Sequence, residues 1–275
     1  MRKGDSNDPL LRQVLPLQSE TRHWPGYSLD PVGDLAATAQ TGVIKKYRGR
    51  ALLIATGVCA VHCRYCFRRN FPYQDQQLAG DKLQQALTFL ADHPDINEAI
   101  LSGGDPLLLS DRKIAALLEG LDKISHIRRL RIHSRLPVVL PQRITPLLLK
   151  ILNATNKSVV VVMHSNHRNE LSNAVEESCR QMRLAGITLL NQSVLLKNVN
   201  DNADSLCDLS EALFEIGVLP YYLHSLDKAA GTGHFEVGES EAKAINREMK
   251  RRLPGYLVPR LVKEQAGAEY KLNLL

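Results

Sequence analysis

Cys59-Ala-Val-His-Cys63-Arg-Tyr-Cys66-Phe-Arg68-Arg69 follows directly on the apolar run Ala51-Leu-Leu-Ile-Ala-Thr56. The run reads as a buried strand that delivers a polar loop. Cys59, Cys63 and Cys66 sit at spacings of four and three residues along that loop. Thiolates are the usual ligands of iron–sulfur clusters, and a cubane cluster has four irons. Three cysteines hold three irons and leave the fourth open to a small molecule. The spacing therefore predicts a site that can do chemistry as well as pass electrons. A structural zinc site usually takes four protein ligands. His62 could supply the fourth, but its place beside Cys63 would strain a tetrahedral site. Five cysteines are an odd number, and Met1-Arg-Lys-Gly-Asp-Ser6 lacks the apolar core of a secretory signal, so a disulfide framework is not expected. Three buried, inert cysteines are the remaining bland reading.

Outward from this loop, short apolar runs alternate with amphipathic segments. The runs are 51–56, 98–102, 130–134, 158–164, 188–195 and 221–226. Helical patterns lie near 81–93, 111–123, 145–155, 171–185, 203–216 and 240–252. Ser158-Val-Val-Val-Val-Met163 has the continuous β-branched character of a strand buried on both faces. Such alternation predicts right-handed βαβ units and a parallel sheet. A doubly wound sheet and a partial barrel both fit. The polar motifs decide, because nearly all fall at the C-terminal ends of the runs, where parallel barrels build their sites. The expected fold is α/β, a partial (β/α)6 barrel. A lead-in over 1–45 precedes a core over 46–238, and 239–275 forms a C-terminal helix and segment. In the lead-in, Asp8 to Leu15 can hold a short helix, and Trp24-Pro-Gly-Tyr27 and Asp30-Pro-Val-Gly33 read as turns.

Apolar residues make up 44% of the chain and charged residues 23%, as expected of a soluble globular protein. No apolar run approaches the ~18 residues of a membrane span. A reducing cytoplasm suits the free thiols. The net charge of +6 raises the possibility of nucleic acid. The basic residues are scattered, however, and a site for phosphate and carboxylate groups is basic too. No nucleic-acid or membrane partner is expected.

The pattern Cys-x3-Cys-x-aromatic-Cys resembles that of the radical S-adenosylmethionine (SAM) enzymes. In that family the open iron chelates the methionine end of SAM, and an aromatic, here Tyr65, lies by the adenine. Ser102-Gly103-Gly104-Asp105 resembles the family's glycine-rich element for the methionyl amino group. Alone, it would read as an ordinary strand-to-helix turn. Arg50-Ala-Leu-Leu-Ile, Leu136-Pro-Val-Val-Leu-Pro-Gln-Arg-Ile-Thr145, Asn191-Gln-Ser-Val-Leu-Leu196 and Pro220-Tyr-Tyr are similar to segments of the lysine 2,3-aminomutases. Those enzymes use SAM, a [4Fe-4S] cluster and pyridoxal 5'-phosphate (PLP). Asn7 to Leu15, Arg131-Ile-His-Ser-Arg-Leu-Pro137 and Tyr221 to Lys228 resemble the bacterial branch that makes (R)-β-lysine for modification of translation elongation factor P. A radical SAM enzyme acting on another amino acid is the alternative.

The resemblance implies roles residue by residue. Cys59, Cys63 and Cys66 bind the cluster. Lys271 matches the lysine that carries PLP; by composition alone it is a surface lysine near a terminus. Lys46 and Arg50 match positions near the PLP phosphate, in a stretch that otherwise reads as a solvated basic turn. Gln192 matches a position near the cofactor, and His133 and Arg135 join the cofactor-binding set. Arg68 matches the arginine for the substrate carboxylate. Asp227 matches one of two acids for the substrate's ε-ammonium; on its own it reads as a turn or cap aspartate. The second acid stands here as Glu264, where the metabolic enzymes have aspartate. The implied partners are L-lysine, a one-electron reductant protein and the elongation factor P pathway. A shorter N-terminal segment than the family usually has is also expected. Cys179 and Cys207, on helical segments, are expected to be core residues.

Overall fold

The computed structural model describes every residue of the chain except Ala79. A β-hairpin, β1 (Thr38–Gln40) and β2 (Val43–Ile44), leads into β3 (Arg50–Thr56). Then follow β4 (Glu98–Gly103), β5 (Arg129–Ser134), β6 (Ser158–His164), β7 (Thr188–Val194), β8 (Leu219–His224), β9 (Arg260–Lys263) and β10 (Leu272–Asn273). The strands pair in that order in one sheet. From β3 to β9 every neighbour is parallel. The hairpin caps one edge antiparallel, and β10 caps the other. The sheet is an open, partial barrel.

Short helices α1 (Pro9–Arg12), α2 (Tyr73–Gln76) and α5 (Leu136–Val139) lie in the lead-in and the loops. The long ones are α3 (Asp81–Ala91), α4 (Asp111–Asp122), α6 (Pro146–Ala154), α7 (Asn173–Leu184), α8 (Ala203–Glu215) and α9 (Glu239–Arg252). Their starts are written locally. Pro146 opens α6 behind Thr145, whose hydroxyl accepts from Leu148 N. Asn202 caps α8 through Ser205 N. Helix α9 begins with Glu239 and Glu241 and ends with Lys250, Arg251 and Arg252, matching the helix dipole at both ends.

The period of two along each strand separates core from site. In β5, Leu130 and Ile132 join Ile114, Leu117 and Leu121 of α4 in the outer core, while Arg131 and His133 take the opposite, inner face. Truncating Leu130, fully buried, to alanine costs about 2–5 kcal/mol. The six expected strands and six long helices are all present. The sheet extends further than expected. The four-residue Arg260-Leu-Val-Lys263 is a seventh parallel strand, too short for its periodicity to show. Among the described residues no helix is long and apolar enough to cross a membrane.

Candidate active site

The loop after β3 carries the three thiols. Burial, then Cys66 and Asp105, push Cys59 up to about 12. Burial, then Cys63, push Cys66 up to about 11. Without metal Cys59 and Cys66 keep their protons, and a metal must expel them on binding. Arg135 Nη1 donates to Cys63 Sγ at 2.7 Å, a cation placed to steady a thiolate. Among the described residues, no three His, Cys, Asp or Glu side chains converge closely enough to hold a single metal ion. A cubane takes one thiolate at each of three irons, so its ligands need not converge on a point. His62 is exposed on the loop. The donor set thus fits a cluster and not the zinc alternative.

The turn after β4 packs against that loop. Gly103 adopts φ +114°, and a Cβ there would stand 2.5 Å from Thr56 O. At Gly104 it would collide with the Val58 backbone. The two glycines let the two loops touch, and Tyr73 Oη donates to Gly103 O at 2.6 Å. Asp105, expected to bind the cofactor, also has a structural part. Its buried carboxylate accepts from Leu107 N, Ser134 Oγ, Arg135 N and Leu136 N at 2.7–3.1 Å. It therefore fixes the end of β5 and, through it, Arg135. The guanidinium of Arg135 also reaches Gln13 and Glu170, at 2.7 Å each, and lies over the Tyr65 ring at 5.6 Å.

Beside the cluster loop, ionic groups from four separated segments form a chain. Arg68 Nε donates to Asp34 Oδ2 at 2.6 Å, and Nη1 donates to Ser102 Oγ at 3.1 Å. Lys46 Nζ lies 2.6 Å from Asp34 Oδ1 and 2.8 Å from Glu264 Oε1. Glu264 Oε2 accepts from Lys271 Nζ. Burial alone would raise Glu264, but Lys271 and Lys46 outweigh it and hold its carboxyl at about 2. Asp227 has no such partner. Among the described residues its carboxylate makes no hydrogen bond or ion pair. Burial, then the nearby Glu264 charge, push it up to about 7. Lys228, its sequence neighbour, pairs with Glu236 at 3.0 Å and stays exposed.

Unfilled donors complete the inner face. Arg50 Nε, Arg131 Nε, His133 Nε2 and Tyr47 Oη are buried without hydrogen-bond partners among the described residues. Arg50 stacks on Tyr47 at 4.9 Å, and Arg131 pairs with Glu98 at 2.7 Å. Buried polar groups in a native fold normally have partners. Two guanidinium N–H groups, an imidazole and a phenol left unfilled fit an anionic ligand that makes several hydrogen bonds. Gln192 Nε2 meets His164 Nε2 at 3.0 Å. Burial, then nearby cations, lower His133 and hold His164 at about 3; burial, then Lys271, does the same to His224. The three imidazoles are neutral near pH 7.

Residues 53–209 match the model of the radical SAM superfamily. L-lysine 2,3-aminomutase of Escherichia coli (strain K12) is 48% identical, over 100% of this chain and 80% of that protein. The chain belongs to the L-lysine 2,3-aminomutase family of radical SAM enzymes. The protein of the same name from Haemophilus influenzae is 46% identical over 98% of this chain and 80% of its own length. The one from Clostridium subterminale is 35% identical over 99% and 65%. A solved radical SAM methyltransferase from Sphaerobacter thermophilus superposes with TM-score 0.56 at 14% identity, over 80% of this chain and 68% of that one, a likeness of fold alone. Membership of the radical SAM family implies a [4Fe-4S] cluster and SAM.

The structure brings Lys46, Arg68, Ser102 and Lys271 into one ionic chain with Glu264, and Cys63, Tyr65 and Arg135 into a second group. Sequence reasoning missed Asp34, Tyr47, Arg131 and Gln13. Arg131 was findable, since it alternates with core residues on β5. Asp34 and Gln13 come from the aperiodic lead-in and carry no local signal.

Proposed function

We propose that the chain converts L-lysine to (R)-β-lysine by moving the amino group from C2 to C3, with PLP as a further cofactor. The product would serve the modification of translation elongation factor P in the cytoplasm, with electrons from a one-electron reductant protein. The observation that carries the reading is the layout of an unfilled donor and an unpaired acid. Arg68 Nη2 makes no hydrogen bond among the described residues, and neither does the Asp227 carboxylate. An open guanidinium nitrogen and an unpaired acid suit the carboxylate and the distal ammonium of a diamino acid.

When bound, the cluster and SAM would supply a radical able to take hydrogen from an unactivated carbon, and PLP would supply a conjugated ring able to delocalise the unpaired electron while the amino nitrogen moves from C2 to C3. Cys59, Cys63 and Cys66 would hold the cluster. Lys271 would hold PLP, with Lys46, Arg50 and Arg131 toward its phosphate, where the unfilled N–H groups of both arginines fit an anion. The chain's own residues then position and enclose. Arg68, fixed at Nε and Nη1, receives the α-carboxylate on Nη2. Asp227 receives the ε-ammonium and gives up its proton as that cation arrives. The neutral imidazoles of His133, His164 and His224 offer hydrogen bonds without adding charge. Gln13, fully buried, joins Arg135 to Asn166 and seals the lead-in over the site, keeping water from the radical.

The test is anaerobic reconstitution with iron, sulfide and PLP, then product analysis with SAM, a reductant and L-lysine. β-Lysine of R configuration is expected. SAM cleavage with no β-lysine, but with turnover of another amino acid, would transfer the reading to that substrate. In cells lacking this chain, elongation factor P should lose its β-lysyl mass increment.

A further inference from the structure

Asp34 is 1% exposed and comes from the lead-in, yet it lies between two cations assigned to ligand binding. Its backbone is pinned. Asp34 N donates to Asp30 Oδ1 at 2.8 Å, and Thr38 Oγ1 donates to Asp34 O at 3.0 Å. Gly33, at φ +68°, lets the loop wedge against the C-terminal segment, where a Cβ would stand 3.0 Å from Ala266 Cβ. The carboxylate thus reaches Arg68 from a fixed platform. It takes the Nε edge, Ser102 takes Nη1, and Nη2 is left open. A planar guanidinium held at Nε and Nη1 presents its remaining nitrogen in a single orientation. Burial works against the charge on Asp34, but Arg68 and then Lys46 outweigh it and keep the acid ionised.

We propose that Asp34 is a positioning residue that aims the open Nη2 of Arg68 at the substrate's carboxylate. The inference rests on the reading of Arg68 as the carboxylate partner. Asp34 does not displace that carboxylate, because it takes Nε and leaves the N–H groups of Nη2 free. Nor is it needed to hold Lys46, which keeps Glu264 and Val32 O, each at 2.8 Å. Arg68, by contrast, has no other anionic partner among the described residues.

The experiment compares L-lysine with lysinamide, which lacks the anionic carboxylate, in reconstituted wild type and Asp34→Asn. KM is read for lysine and the inhibition constant for lysinamide; PLP loading and melting temperature are read alongside. Wild type should favour lysine by roughly tenfold or more. Asp34→Asn should raise the lysine KM roughly ten- to a hundredfold, taking as a guide the range for removing the outer partner of a metal ligand. Lysinamide binding, kcat and PLP loading should each change less than about threefold. If wild type does not discriminate, Arg68 is not the carboxylate partner and both ideas fall. If wild type discriminates and Asp34→Asn still does, Arg68 stands and the role of Asp34 is overturned. Should Asp34→Asn fail to fold, Asp34→Glu keeps the charge but shifts the guanidinium. A higher lysine KM with unchanged lysinamide binding then supports the proposal, and an unchanged ratio overturns it.

Discussion

Replacing Asp227 with asparagine should stabilise the cofactor-free protein above neutral pH and leave it unchanged in acid. The folded-state value of about 7 stands roughly 3 units above the ordinary 3.8. At 1.36 kcal/mol per unit this is at most about 4 kcal/mol. Because the folded value is the higher one, the favourable contribution of the protonated acid is fully present below about pH 4. It is lost as pH rises through 7. Asparagine resembles the protonated acid in shape and never ionises, so the variant escapes that loss. Other groups titrate in the same window, chiefly the histidines, whose low folded values make stability rise with pH. They contribute to both proteins and cancel in the difference. Glu264, held at about 2, stays ionised throughout. Anaerobic denaturant unfolding at pH 5 and pH 8 measures the effect. The variant's advantage should grow between those values toward the upper limit, equivalent to roughly 10 °C in melting temperature. Lysine should in turn bind wild type more weakly below pH 7, by up to tenfold per unit, because its ammonium must displace the proton. A stability difference that is the same at both pH values would refute the argument.

Alanine at Cys59, Cys63 or Cys66 should abolish iron retention and SAM cleavage, read by iron and sulfide content after anaerobic reconstitution. Cys179→Ser and Cys207→Ser should keep the cluster and lose roughly 1–3 kcal/mol of stability, since both thiols are buried in apolar surroundings and a hydroxyl is costly there. Lys271→Ala should lose the visible absorbance of bound PLP while keeping its iron; unchanged absorbance would remove Lys271 from the site. Gly104→Ala should displace the backbone at Val58, lower iron content and cost roughly 1–3 kcal/mol by overpacking, seen in the melting temperature.

What could be read from the chain depended on how local its cause was. Ser158 to Met163 announced β6 because a strand buried on both faces must be apolar throughout. The thiols announced themselves because a cluster constrains three residues within eight. The edges of the sheet left no such mark. β1, β2, β9 and β10 have two to four residues each, fewer than one period of any pattern can establish. The ionic chain was hidden for another reason. Lys46 meets Glu264 across 218 positions, and no window of sequence holds both. Family resemblance supplied Lys46, Arg68, Asp227, Glu264 and Lys271, but only the fold shows that Asp34 joins them and that Glu264 bridges the two lysines. The lead-in was read correctly as turns at Asp30 to Gly33. The residue just beyond the turn is the one that enters the site.

The charges explain why this site can be closed and still selective. Arg68, Lys46 and Lys271 face Asp34, Glu264 and Asp227, three cations against three acids. Five of the six are paired with one another. Asp227 is the exception, and it escapes an unpaired buried charge by holding a proton. A ligand that brings a cation to Asp227 replaces that proton with an ion pair. A ligand of the same shape without the cation leaves the acid neutral and gains nothing there. Truncating one partner of a desolvated pair costs about 2–5 kcal/mol. Norleucine should therefore bind far more weakly than lysine above pH 7, and the gap should narrow as acid refills Asp227. Selectivity for a distal ammonium, on this argument, comes from the one group that the protein leaves unpaired.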